Sequence, residues 1–106
     1  MSFAEAIIEA GATTRLHIHL RSEEIYHVTH GEGTMRLGND EFGIRRGDNI
    51  TIAPGTPHNV TNSGDQPLRI LCVCHPPYSD VDIELLYQTK TRIGSNYGVR
   101  RQLLQR

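Results

Sequence analysis

The chain lacks any long apolar run. Its 106 residues contain no stretch close to the roughly 20 consecutive apolar residues that a membrane-spanning helix needs. The first ten residues, MSFAEAIIEA, have neither the basic segment nor the apolar segment of a secretory signal peptide. We therefore expect a cytosolic protein without a membrane partner.

An excess of charge of one sign is also missing. Eleven basic and twelve acidic side chains give a formal net charge of −1, so no overall basic field favours binding to nucleic acid. The C-terminal end differs, because residues 88–106 contain five basic residues and no acidic one: Lys90, Arg92, Arg100, Arg101 and Arg106. We interpret residues 1–88 as the folded domain. Residues 89–106 are a basic tail, either frayed or docked on a partner subunit as a short helix.

Cysteine is scarce. The two cysteines, Cys72 and Cys74, stand one residue apart in RILCVC, which is not the CxxC spacing of redox proteins. If this segment is a strand, both thiols point to the same face. In a cytosolic chain we interpret them as small buried hydrophobic residues. A metal-binding or redox role is the alternative.

Short apolar segments separated by turn residues make up most of the chain. A length of 106 residues suffices for one domain with one core, and the spacing of the segments predicts an all-β sandwich or barrel. The predicted strands are TRLHIHL, EIYHVTH, TMRL, FGIR, NITIA, HNVTN and LRILCVC, and the turns between them include GEG, GND, PGTP and NSGD. FAEAII has good helix propensity, but we predict a strand there because the next strand needs a β-type partner.

The stretch LHIHLRSEE, residues 16–24, offers metal ligands. Residues two apart in a strand share a face and lie about 7 Å apart, so His17 and His19 could converge on one ion. Glu24, from the following strand, could complete a set of two imidazoles and a carboxylate. His58, which begins a strand after the PGTP turn, is a further candidate. A histidine pair alone is more often structural than ligating, so the pattern by itself leaves both roles open.

Three neighbours of these candidates could contact a small ligand. Alternation along the strand aims Arg15 into the same interior as the histidine pair, where its guanidinium could hold a carboxylate or phosphate. The alternative is that the strand twists near its start and Arg15 reaches solvent. Tyr26 shares the face of Glu24 and is either a catalytic proton donor or a core aromatic residue. Val60 shares the face of His58 and is expected to line the ligand site.

Taken together, these residues resemble the two signature motifs of the cupin superfamily. The first motif fits at every fixed position: Gly11-x5-His17-x-His19-x4-Glu24-x6-Gly31. The second fits with one departure, since alanine stands where the family usually has proline: Gly47-x5-Ala53-x-Gly55-x2-His58-x3-Asn62. Pro54 follows that alanine at once, so the turn keeps a proline. The resemblance covers about residues 3–87 and excludes the tail.

The resemblance implies a jelly-roll β-barrel of short antiparallel strands, usually a homodimer. It also implies one divalent transition metal per chain (Fe, Mn, Ni, Zn, Co or Cu) with four ligands: His17, His19, Glu24 and His58. The six-residue run to Gly31 selects Glu24 rather than Glu23. We expect turn residues that tolerate positive φ at Gly11, Gly31, Gly47 and Gly55, and a turn residue that bonds the backbone at Asn62.

Such a ligand set points to a metal-dependent enzyme. Three neutral imidazoles and one carboxylate leave a divalent ion with open positions that can polarise a carbonyl or hold O2 beside a substrate. A small barrel has room for one small ligand, so we expect a dioxygenase, lyase, decarboxylase or isomerase of an oxygen-rich anionic metabolite. Tyr26, or else His30 or His75, would move protons. The alternatives are a small-molecule binding or sensor barrel and a scaffold with a structural metal.

Overall fold

The computed structural model of the protein describes residues 1–76, 83–85 and 99–105. These residues form ten strands: β1 (Ser2–Ile8), β2 (His17–His19), β3 (Glu23–His30), β4 (Glu32–Leu37), β5 (Asp40–Arg45), β6 (Asn49–Ile52), β7 (His58–Thr61), β8 (Leu68–His75), β9 (Ile83–Leu85) and β10 (Val99–Gln105). No helix in the described part of the chain is long and apolar enough to cross a membrane.

The strands form two five-stranded sheets. Their orders are β10-β1-β8-β3-β6 and β5-β4-β7-β2-β9, and the pairings between described strands are antiparallel, which confirms the predicted all-β jelly-roll. Inward side chains from both sheets meet in one apolar core, in which Val28, Met35 and Leu68 are fully buried. The two sheets are therefore held together mainly by burial of aliphatic surface.

The segment FAEAII is a strand, as predicted. In β1 the side chains alternate strictly between buried and half-buried, with Ala4, Ala6 and Ile8 facing the core. Strand β8 pairs along the full length of β1 on one side and β10 on the other. These backbone partners, together with the buried face, outweigh the helix propensity of alanine and glutamate.

Part of the basic tail belongs to a sheet. Residues Val99–Gln105 form β10, which pairs with β1 from Ser2 opposite Gln105 to Ile8 opposite Val99. The frayed end or short helix considered from the sequence is therefore wrong for these residues. The physical reason is that β1 would otherwise present a row of unpaired backbone N–H and C=O groups at the sheet edge. The domain boundary at residue 88 stays a prediction.

Gly31 shows why a turn beside the core needs glycine. Its φ is +84°, and a Cβ built on it would lie 2.7 Å from the Pro67 carbonyl oxygen. Any other L-residue would be strained by its backbone angle and would also collide with the neighbouring chain. The other turn glycines of the two motifs, Gly11, Gly47 and Gly55, also have positive φ.

The Asn62 side chain connects the end of β1 to the turn between β7 and β8. It is fully buried; Nδ2 donates to the carbonyl oxygens of Ile8 at 2.9 Å and Gln66 at 2.7 Å, and Oδ1 accepts from the Gly64 N–H at 2.9 Å. The buried amide therefore satisfies backbone groups that would otherwise lack partners. Its place in the second motif is that of a backbone-bonding turn residue.

Candidate metal centre

Four side chains with metal-binding atoms meet between the two sheets. His17 and His19 in β2 and His58 in β7 come from one sheet, whereas Glu24 in β3 comes from the other. All four are buried, and one ligand atom from each lies within 4.8 Å of the others. The register of β2 and β7 places His17 directly opposite His58, and their ring centroids are 4.2 Å apart.

Backbone carbonyls fix the orientation of two of the imidazoles. Nδ1 of His17 is 2.8 Å from the carbonyl oxygen of Arg15, and Nδ1 of His58 is 2.8 Å from that of Thr56. A carbonyl oxygen can only accept, so Nδ1 of each ring carries the proton and donates it. Each Nε2 then keeps its lone pair, which is the arrangement found in most metal-ligating histidines.

Glu24 presents its two oxygens to different partners. Oε1 lies 3.0 Å from Nε2 of His19 and 3.4 Å from Nε2 of His58. Oε2 accepts a hydrogen bond from the Cys74 thiol, with a distance of 3.2 Å between Sγ and Oε2. Burial alone would raise the pKa of the Glu24 carboxyl, but the His19 imidazole and the Cys74 thiol beside it hold this pKa well below its usual range. Glu24 is therefore a carboxylate at neutral pH.

The environment of His17 favours a neutral ring. Burial is the largest influence and lowers the pKa of the imidazole to about 4, with a further lowering from the neighbouring His58. At neutral pH the ring is therefore uncharged. Neutral imidazole and ionised carboxylate are the protonation states that bind metal.

Two atoms of the cluster make the case for a cation. Glu24 Oε1 and His58 Nε2 are buried, and neither makes a hydrogen bond within the part of the chain that the structure describes. When the His58 proton is on Nδ1, both atoms present lone pairs to each other at 3.4 Å. Two buried lone pairs that face each other are costly, and a divalent cation between them would turn the repulsion into coordination. The donor set of imidazole nitrogen and carboxylate oxygen suits a first-row transition metal.

Tyr26 and Val60 lie next to the cluster on its core side. Tyr26 follows Glu24 by two residues on the inward face of β3, is buried, and has its ring centroid 5.8 Å from that of His58 in an edge-on contact. Val60 follows His58 by two residues on the inward face of β7 and is also buried. Both residues belong to the hydrophobic core cluster, so they form the apolar side of the site.

Of the two orientations considered for Arg15, the structure has the solvent-exposed one. Regular pairing in β2 begins only at His17, and alternation fails before it because Leu16 and His17 are both buried while Arg15 is exposed. The backbone of Arg15 nevertheless contributes, since its carbonyl orients His17. Its role as a substrate-binding residue stays a prediction.

Two other histidines considered for proton transfer are exposed. His30 lies at an irregularity in the pairing of β3 with β8, and His75 stands opposite Glu23 in that same pair of strands. Cys74, which contacts Glu24, precedes His75 on the opposite face of β8. Tyr26 is therefore better placed than either histidine for a role at the cluster.

The contact between Cys74 and Glu24 was not foreseen from the sequence. Both cysteines are buried on one face, as predicted, but the sequence favoured a packing role, and the alternative of a metal-binding or redox role named no contact with Glu24. The sequence did indicate that both thiols share one face of their strand, and in the structure this is the buried face. The missing information was that β8 pairs with β3 so that Cys74 stands opposite Glu24, fifty residues away in the chain.

Residues 4–74 match the Cupin domain family, which is well over half of the chain. The chain therefore belongs to the cupin family, as its two motifs indicated. An uncharacterized protein of Methanocaldococcus jannaschii is 51% identical over 85 residues, which cover 80% of this chain and 68% of the relative.

Solved structures share the fold. An uncharacterized conserved protein with a double-stranded beta-helix domain from Klebsiella pneumoniae has a TM-score of 0.72 and 24% identity, covering 82% of this chain and 76% of that one. A predicted oxalate decarboxylase from Thermotoga maritima has a TM-score of 0.66 and 30% identity, covering 68% of this chain and 63% of that one.

Proposed function

We propose that the chain is a metal-dependent enzyme that acts on a small, oxygen-rich anion. The observation that carries the proposal is the pair of buried acceptor atoms, Glu24 Oε1 and His58 Nε2, facing each other among three imidazoles. A cluster kept only for folding would be more stable if apolar groups replaced these atoms.

A divalent ion held by this set supplies Lewis acidity, a net positive charge and open positions for oxygen ligands. Carboxylates, keto acids and enediols are the small molecules with the matching oxygen pattern. Similarity to a protein described as a predicted oxalate decarboxylase supports a carboxylate substrate and C–C bond cleavage as the first reaction to test. Dioxygenase and isomerase activities are the other classes that this site could serve.

The residues of the chain itself would position the substrate and handle its proton. The Tyr26 phenol, buried beside His58, is the group we assign to holding or donating a proton at its Oη. Val60 and the core behind it would keep water from that side of the substrate. The exposed Arg15 guanidinium would attract the second anionic group of the substrate from the solvent side.

The first experiment measures metal content and turnover together. Untagged protein, purified without chelators or added metal, is examined by elemental mass spectrometry and then tested on a panel of small keto acids, dicarboxylates and enediols for CO2 release, O2 uptake and isomerised product. We expect close to one transition metal per chain and turnover with at least one acid. Tight binding without turnover would identify a sensor barrel, and absence of metal even after reconstitution would contradict the proposal.

A matched pair of variants tests the assignment of the carboxylate ligand. Glu24→Gln removes the charge from the buried oxygen that faces the imidazoles, so we expect metal affinity to fall more than about 100-fold, beyond the effect of most changes outside the ligand set. Glu23→Gln alters an exposed neighbour and should leave affinity within about twofold. Equal metal content in the two variants would show that Glu24 is not a ligand.

The homodimer and the cytosolic location stay proposals as well. Light scattering coupled to size-exclusion chromatography would give the mass of the particle in solution.

A further inference from the structure

Cys74 stands directly across from the carboxylate of the candidate metal centre. Strands β3 and β8 are paired so that Glu24 and Cys74 are cross-strand partners. Both side chains face inward, and they are 1% and 3% exposed. The thiol donates to Oε2 over a distance of 3.2 Å, so the two buried residues form one hydrogen-bonded unit across the sheet.

The other strand beside Glu24 offers no equivalent partner. Strand β6 places Ile52 opposite Glu24, and its buried aliphatic side chain cannot donate a hydrogen bond. Among the described hydrogen bonds, the one that Oε2 accepts comes from Cys74. Cys74 is not itself a member of the ligand cluster, so its influence on an ion would pass through the carboxylate.

We propose that Cys74 is a positioning residue that makes Glu24 a one-oxygen ligand. Its S–H group engages Oε2 and leaves Oε1 directed at His19 and His58. This inference rests on the proposed metal site. Glu24 bound through one oxygen completes a set of four ligand atoms and leaves two positions of an octahedral ion for a substrate, whereas binding through both oxygens would leave one. The thiol therefore governs how many substrate atoms the centre can accept.

Cys72 provides a matched control. It lies two residues earlier on the same inward face of β8 and is buried to the same degree. Its thiol is 3.8 Å from the Ile70 carbonyl oxygen, and its cross-strand partner in β3 is Tyr26 instead of Glu24. Removing either thiol leaves a similar small cavity in the same layer of the core. A difference between the two variants therefore reports the hydrogen bond to Glu24 and not the loss of packing.

The test is a Co²⁺ titration of the full-length protein after dialysis against a chelator. Wild type is compared with Cys74→Ala, Cys74→Ser and Cys72→Ala, and the readouts are the dissociation constant and the visible absorption bands of bound Co²⁺. We expect Cys74→Ala to weaken Co²⁺ binding about 10- to 100-fold, because Glu24 loses the hydrogen bond that orients it toward the imidazoles. The visible bands should change as well, because Oε2 is then free to approach the ion and alter its coordination. Cys74→Ser keeps a donor and should recover most of the affinity and the wild-type bands. Cys72→Ala should match wild type in both.

Three results would overturn the inference. The first is equal affinity in Cys74→Ala and wild type, and the second is an equal loss in both alanine variants. The third is a thiolate-to-cobalt charge-transfer band in wild type that Cys74→Ala abolishes, because Cys74 would then be a ligand. If wild type binds no Co²⁺, the proposed metal site fails together with the inference. If wild type binds Co²⁺ and the variants behave as expected, but no acid is turned over, only the proposed enzyme activity fails.

Discussion

The space between the two sheets contains two regions with opposite chemistry. One is an aliphatic core in which Leu68 and Ile70 are almost completely buried. The other is the cluster of three imidazoles and a carboxylate, which is also buried. The aliphatic region stabilises the fold by burial of apolar surface and needs no bound ion. The polar region carries an electrostatic cost that a cation would relieve. The stability of the fold therefore depends mainly on the aliphatic region, whereas metal binding depends on the polar one.

The largest effect is expected from damage to the aliphatic region. Leu68 is fully buried, so Leu68→Ala removes apolar contacts and leaves a cavity, which should lower the free energy of unfolding by about 2–5 kcal/mol. Because Leu68 is not part of the ligand cluster, the decrease should be the same in metal-free and metal-loaded protein. Urea unfolding of both forms measures it, and a loss confined to the loaded form would show that the two regions are not independent.

Acid should act on the polar region. The pKa of His17 is about 4 in the folded protein, compared with an ordinary value of 6.5. Between these pH values the imidazole is protonated in the unfolded chain but neutral in the folded protein. Stability of the metal-free protein should be constant above pH 6.5 and fall by about 3 kcal/mol as the pH drops to 4. The lowered pKa of Glu24 acts in the same direction and extends the loss to lower pH.

Denaturant midpoints of the metal-free protein across this pH range give the measurement. His17→Gln removes the titrating ring and should flatten the curve between pH 4 and 6.5. A wild-type curve that is already flat would contradict the assigned environment of His17. Bound metal should be released in the same pH window, because protons compete for its ligands.

The smallest effect is expected at the exposed rim. Arg15→Lys keeps the positive charge but loses the planar pair of N–H donors, so the Kd for a substrate carboxylate should rise a few-fold while metal content stays unchanged. Arg21→Lys changes another exposed arginine at the other end of the same segment and serves as the control. Unchanged affinity in Arg15→Lys would leave Arg15 with only its backbone role at His17.

Local patterns explain why much of this structure was predictable. Strand alternation and turn glycines reflect interactions between residues close in sequence, and the two cupin motifs indicated the four clustered residues together. The features that the sequence left open or missed have non-local causes. The direction of Arg15 depends on where β2 begins to pair with β7, the contact of Cys74 with Glu24 depends on the register of β3 and β8, and the strand at Val99–Gln105 depends on the open edge of β1.

The three-to-one division of the candidate ligands between the sheets has a mechanical consequence. An ion coordinated by His17, His19 and His58 on one sheet and by Glu24 on the other is a cross-link that spans the layer between them. Separation of the sheets would then require breaking a coordination bond as well as exposing apolar surface. Fluctuations that separate the sheets would become rarer when the centre is filled. Metal occupancy at this one site would therefore control how far the two sheets move apart.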